Sequence, residues 1–265
     1  MKKITSFLIL LLMFSSLAFS QEKSNPQPDE KKPAGVTLGF NYWSTCIYRG
    51  FYYHGDGGAT GSNGILFPYV NWKIFDTGLG IYVGAEISDS YIFDMEKGQG
   101  YEYLGIDFIL QYSHTFVELV TIGLSAGYFY YPLTKHETGI DRSLLITTFK
   151  LAFEVLLSPF VSLSYDYYNG PNWHKDFYLQ FGIGHSFELA KKIYLNLSTA
   201  VGYYYFDSGD MYGISDIDTS AGLSVGVGMA TFTSSFHYIA VPTKEFYAGG
   251  DIHKWIVKVG VGCTF

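Results

Sequence analysis

Twelve ionisable side chains occupy positions from which chemistry could be done on one shared face: Arg49, Lys73, Glu86, Asp107, Lys150, Glu154, Asp166, Glu188, Asp218, His237, Lys254 and Lys258. Each interrupts an apolar or small-residue stretch, as Asp107 does in Gly105-Ile106-Asp107-Phe108 and Lys258 in Ile256-Val257-Lys258-Val259. Successive side chains of an extended chain point to opposite faces. One register therefore puts all twelve on one face and leaves the other apolar. A Lys or Arg facing lipid at the bilayer midplane costs about 2–4 kcal/mol, so the charged face is expected to line an interior. Five Lys or Arg meet six Asp or Glu there, with His237 beside them. Such near balance suits a filled, ion-paired interior as well as a pore lining.

Other chemistries find weaker support. The glycine-rich stretch at 54–64 (HGDGGATGSNG) lacks the Gly-Lys-Ser/Thr ending and the following helix of a phosphate cradle. Asp207, Asp210, Asp216 and Asp218 gather carboxylates in one expected loop, but without the ligand order of a calcium hand. His185 and Ser186 are adjacent, so in a strand they face opposite ways; no third residue completes a nucleophilic triad. No catalytic residue, metal site or cofactor is expected. Cys46 and Cys263 both take the apolar parity, too far apart along their strands for a disulfide, which needs Cα atoms within about 7 Å.

The elements that would position the charged face follow from hydropathy. Residues 1–20 have a basic start (Lys2, Lys3), a short apolar run and the small-x-small ending Ala18-Phe19-Ser20, the pattern of a cleaved export signal. Residues 21–34 are polar and proline-rich, the composition of a disordered tail, here periplasmic. Residues 35–265 then alternate. The final stretch shows it best: Trp255, Val257, Val259, Val261, Cys263 and Phe265 on one face, Lys254, Ile256, Lys258, Gly260, Gly262 and Thr264 on the other. Similar segments run over 36–52, 65–74, 78–88, 101–115, 120–131, 144–156, 160–168, 176–189, 193–206, 217–229, 231–241 and 253–265. Connectors alternate short and long, and tyrosine clusters recur at 48–53, 128–131, 165–168 and 203–206, one level of a girdle. The fold class is therefore all-β: a transmembrane antiparallel up-and-down β-barrel of about 12 strands, with 10 or 14 as alternatives.

Composition agrees. Charged residues make up 15% of the chain and aromatics 19%, with 24 Tyr and 30 Gly; a typical soluble domain carries about 25% charged residues. A net charge of −7 and the lack of a basic run argue against nucleic acid as a partner.

Ser44-Thr45-Cys46-Ile47-Tyr48-Arg49-Gly50 resembles the S-x-x-Y/F-R-G signature in the first strand of the TorF family of porins. Gly127-Tyr128-Phe129-Tyr130-Tyr131-Pro132, Ser164-Tyr165-Asp166-Tyr167-Tyr168 and Gly202-Tyr203-Tyr204-Tyr205-Phe206 are similar, in the same order, to its later aromatic stretches. The resemblance implies a channel in the bacterial outer membrane and names no solute.

The expected function is thus an outer-membrane channel for passive diffusion of small polar solutes or ions, not an enzyme; the rival is a non-conducting structural or surface-interaction barrel. Twelve strands lie between small filled barrels and wide 16–18-stranded porins. Inward tyrosines at 69, 82, 103, 178, 194 and 204 would narrow the bore further, and acidic external loops would favour cations weakly. Expected partners are outer-membrane lipids, the small polar solutes, and the barrel-assembly machinery, through the last strand ending at Phe265.

Overall fold

The structure is a computed structural model and describes residues 35–44, 47–48, 51–52, 64–88, 104–131, 143–168, 175–207, 211–243 and 253–265. The expected export signal, the tail over 21–34, Cys46, Arg49, Tyr103, Asp210 and nearly all of the glycine-rich stretch lie outside the described residues.

Twelve antiparallel strands pair in chain order and close into a barrel. They are β1 Val36–Trp43, β2 Ile65–Lys73, β3 Leu79–Ser88, β4 Leu104–Phe116, β5 Val120–Tyr130 and β6 Leu144–Phe153. The second half is β7 Phe160–Tyr168, β8 Lys175–Ala190, β9 Ile193–Phe206, β10 Met211–Val227, β11 Ala230–Ala240 and β12 His253–Thr264. β1 pairs with β2 on one side and with β12 on the other, from Thr37 opposite Thr264 to Trp43 opposite Lys258. Closure gives both edges of every strand a partner, the condition for a sheet to cross a bilayer. The Phe265 N–H donates to the Val36 carbonyl at 2.9 Å, so the two chain ends meet at one rim.

Five tight connections share that rim, called here the turn end. Phe75–Thr77 forms a 3-10 turn. The Thr77 hydroxyl donates to the Ile74 carbonyl at 2.5 Å and accepts the Leu79 N–H at 3.1 Å. Gly78 leaves the turn at φ 77°, and Gly228 at φ 60° lets β10 reverse directly into β11. The opposite rim, the loop end, carries the longer connections.

Two expected boundaries are corrected. The first strand does not run unbroken to 52. Ser44 ends its pairing: its N–H donates to the Val257 carbonyl at 2.9 Å, and its Oγ accepts the Val257 N–H at 3.0 Å. The chain beyond forms a separate two-residue ladder, Ile47–Tyr48 with Phe51–Tyr52. The tenth strand starts at Met211, not Ile217. Its register with β9 shifts between Gly202, opposite Asp216, and Tyr203, opposite Ile214. Ser215 is the extra residue of a β-bulge, which lets the strand continue through a break in alternation.

The outer surface is apolar. Leu38, Phe40, Val83, Leu110, Leu124, Phe149, Leu163, Phe181 and Leu223 are all exposed. Tyr128, Tyr167, Tyr212 and Trp255 lie exposed toward the loop end, and Trp72, Phe116, Phe187, Phe232 and Phe265 toward the turn end. Two aromatic belts around an apolar band match a bilayer with its two interfaces. Rings meet across the loop-end belt, Phe177 stacked on Tyr205 at 5.2 Å and Tyr238 tilted against Trp255 at 4.9 Å. Cys263, opposite Leu38 and Ala230, is a free thiol on this outward parity.

Candidate pore lumen

Inward side chains differ sharply along the barrel. Toward the loop end they are large and buried: Trp43, Ile65, Phe67, Tyr82, Ile109, Phe129, Ile146, Tyr178 and Tyr204 form one packed cluster. Inserted among them are carboxylates: Glu86 at 1% exposure, Asp107, Asp166 and Asp176 at 0%, and Asp216 at 4%. Asp166 and Asp176 are direct cross-strand partners. The Tyr204 hydroxyl donates to Asp176 Oδ2 at 3.0 Å, and the Tyr178 hydroxyl to Asp216 Oδ2 at 3.0 Å. Gly202 permits the second contact, because a Cβ there would fall within the Tyr178 ring and against Asp216. Neither oxygen of Asp107 has a hydrogen-bond partner among the described residues.

Toward the turn end the inward positions are small and polar. Ser113, Ser186, Ser198 and Thr231 are exposed, and Asn71, Ser125, Asn196, Ser220, Ser224, Thr233 and Ser235 are half-buried. They pair across strands: Ser198 with Ser220 at 2.7 Å, Ser186 donating to Asn196 Oδ1 at 2.6 Å, Gln111 donating to Asn71 Oδ1 at 3.1 Å. Thr121 donates to Glu154 Oε1 at 3.1 Å. The result is a water-accessible vestibule of hydroxyls and amides below a packed loop half.

The twelve residues singled out from the sequence divide between these regions. Glu86, Asp107 and Asp166 belong to the packed half. Asp218, His237 and Lys258 meet at the boundary, and Lys254 lies two steps of the alternation from Lys258 toward the loop end, level with Asp218. Lys258 Nζ rests 4.1 Å from the centroid of the Trp43 ring, and Lys150 Nζ lies 4.3 Å from that of Phe160. Burying these ammonium groups against aromatic faces offsets part of their desolvation. Lys73, Glu154 and Glu188 ring the turn end, where Lys73 and Glu188 are exposed. Arg49 lies outside the described residues.

Three inward residues escaped sequence reasoning. Asp176 shares the parity of Gln180 on its own strand, so the signal was present. Hydropathy places Asp216 in a loop, and the bulge at Ser215 is what carries the strand past it. Ser235 lies two residues before His237, on the same face. Its Oγ lies 3.0 Å from His237 Nε2, while His237 Nδ1 meets Asp218 Oδ1 at 3.0 Å. The spacing Ser-x-His was legible, but the neighbour that brings Asp218 alongside was not.

A groove of about 460 Å³ opens on the outer surface, lined in part by Leu79, Leu110, Leu124, Phe149 and Leu163. Its exposed lining is mostly apolar, and Gln111, Ser125 and Thr148 of the inner face also border it.

No family model matches the chain, and no curated protein matches it. Solved structures do. The KdgM porin superposes with a TM-score of 0.51 at 12% identity, over 86% of this chain and 99% of that one. A KdgM porin in complex with disordered oligogalacturonate gives 0.53, also at 12% identity, over 86% and 99%. The NanC porin gives 0.50 at 8% identity, over 87% of this chain and the whole of that one. At such identities the likeness establishes the fold alone: this chain is a closed twelve-stranded antiparallel barrel of the architecture that these porins share.

Proposed function

We propose that the protein is a bacterial outer-membrane channel for passive diffusion of small polar solutes or ions, with a narrow cation-preferring segment in its loop half. The observation that carries the reading is the closed barrel whose apolar belted face lies outside and whose polar face lies inside. A barrel that needed only to be filled has no use for a vestibule of exposed serines and threonines. The KdgM and NanC porins share the fold, and the TorF-like motifs support a porin role from the sequence side. The loop end is then external and the turn end periplasmic, where the strand ending at Phe265 would engage the assembly machinery.

The cation preference rests on Asp176 and Asp216, carboxylates held inside the narrow segment by tyrosine hydroxyls. A buried carboxylate is stable as an anion only beside positive charge or hydrogen-bond donors. Asp176 and Asp216 meet that condition through the Tyr204 and Tyr178 hydroxyls, whereas Asp107 has no hydrogen-bond partner among the described residues. Planar-bilayer recording across a salt gradient tests both parts. The expected result is small unitary steps with a reversal potential on the cation side, moved toward zero by Asp216→Asn. Silence from correctly folded barrels would overturn the channel reading.

One observation favours the rival. The loop-half cluster is packed to 0–3% exposure at Trp43, Phe67, Tyr82, Phe129, Tyr178 and Tyr204. A barrel filled so tightly there could serve as a non-conducting structural or surface-interaction barrel. A Phe67→Ala/Phe129→Ala variant separates the two: conductance that rises above an already conducting parent supports a constriction, whereas conductance appearing only in the variant supports a plug.

A further inference from the structure

At the boundary between vestibule and packed half, Asp218, His237 and Ser235 stand in line on the inner face of β10 and β11. His237 Nδ1 is 3.0 Å from Asp218 Oδ1 and 3.2 Å from Oδ2. A carboxylate only accepts, so Nδ1 carries the proton and donates it to Asp218. His237 Nε2 is thereby left as the acceptor, and the Ser235 hydroxyl donates to it at 3.0 Å. The acid–imidazole pair is sheltered, with side-chain exposures of 14% for His237 and 11% for Asp218. Ile239, buried at 6%, stands directly opposite Asp218, and Ile256, buried at 1%, directly opposite His237, while Ser235, Thr233 and Ser224 open below toward the vestibule. Gly222 faces Ser235 from β10, keeping one flank of the hydroxyl clear of any side chain. Lys258 faces it from β12.

We propose that Ser235, His237 and Asp218 are a nucleophile, a general base and its orienting carboxylate, and that they cleave small carboxylic esters entering the lumen from the turn end. Ser235 Oγ bonds to the ester carbonyl carbon as its proton passes to His237 Nε2. The bond to the leaving oxygen breaks, and that oxygen takes the proton from Nε2 as an alcohol. Water then attacks the acyl-serine, passing a proton to Nε2. Ser235 recovers it as the carboxylic acid departs. Ester and water become acid and alcohol, with no other reactant. Lys258, whose ammonium rests over the Trp43 ring, adds positive charge on the neighbouring strand rather than a hydrogen bond to the developing oxyanion. The wall itself offers little else, because strand N–H groups are spent in the ladder. This limits the chemistry to activated or short-chain esters. His185 and Ser186, adjacent on β8 and so facing opposite ways, play no part.

Full-length barrel purified in detergent, treated with diisopropyl fluorophosphate and weighed intact, tests the proposal directly. The expected product is a single adduct that maps to Ser235, with fluoride released. Turnover of p-nitrophenyl acetate should fall on the order of 10³-fold in Ser235→Ala and in His237→Gln. Asp218 positions the imidazole, so Asp218→Asn should lower kcat with KM nearly unchanged, and Asp218→Glu should restore part of it. Heat-dependent gel mobility and β-sheet circular dichroism check that each variant is folded. A wild-type barrel that gains no adduct on Ser235, or that hydrolyses the ester no faster than Ser235→Ala, overturns the proposal without reliance on any variant's folding. Labelling needs access from one rim only, so its outcome is independent of whether the barrel conducts.

Discussion

The two halves of the lumen are made by the same strands under the same alternation, yet one is a core and the other a vestibule. In the loop half the inward positions hold Trp43, Phe67, Phe129, Tyr178 and Tyr204; in the turn half they hold serine, threonine, glycine and asparagine. Strand number alone does not set the bore of this barrel. Closure of twelve strands fixes the space available to inward side chains, and side-chain volume decides how much is left for water. Polarity divides the same way but in an unexpected direction: the more apolar half also holds the most deeply buried carboxylates. Bulky neighbours exclude water there, so a charge held by hydrogen-bond donors, as at Asp176 and Asp216, acts through a lower dielectric than its counterpart in the vestibule.

Truncation should separate the halves most strongly. Phe129→Ala removes a side chain of 0% exposure and is expected to cost about 3–5 kcal/mol. Ser125→Ala, four residues along the same face toward the turn end, should stay within about 0.5 kcal/mol. Urea titration of folding into lipid vesicles measures both, and equal costs would erase the distinction. Next in size is Gly202→Val, which forces Tyr178 off Asp216 at about 1–3 kcal/mol of overpacking, with a matching loss of cation preference in the bilayer. Accessibility gives a third, kinetic contrast. In a Cys46→Ala/Cys263→Ala background, Thr233→Cys should react with a charged methanethiosulfonate roughly tenfold or more faster than Ile239→Cys, and similar rates would mean that water reaches past His237. The smallest effect belongs to the seam at the turn rim, where Thr37 and Thr264 share a 2.9 Å hydrogen bond. Thr37→Val should cost no more than about 1 kcal/mol, read in the same titration, since water can replace a bond at an exposed rim.

Much of this was written in the alternation. β7 and β9 have the same bounds as their sequence-based segments, Phe160–Tyr168 and Ile193–Phe206, and the twelve-strand count agrees with the closed sheet. Parity assigned Lys150, Glu154 and Asp218 to the inner face because a period of two survives wherever one face meets oil. It failed where the period itself breaks. Ser44 stops the first strand through a side-chain hydrogen bond, and the Ser215 bulge shifts the pairing that holds Asp216. Neither event changes the local hydropathy, so neither leaves a mark in a hydropathy pattern.

What the sequence determined alone was the class of object: strands with one face for lipid, belts of aromatics for the interfaces, and an interior carrying the charge. Alternation suffices for that because the bilayer acts on each strand separately. Which inward residues meet is a different matter, decided by register between strands distant in sequence. Register sets His237 opposite Ser220, bringing Asp218 on β10 within reach of an imidazole on β11, and it sets Lys258 opposite both Trp43 and Ser235. Register depends on turn geometry, bulges and the closing seam together, which is why the vestibule, its packed ceiling and the Ser235–His237–Asp218 line emerged only from the tertiary structure.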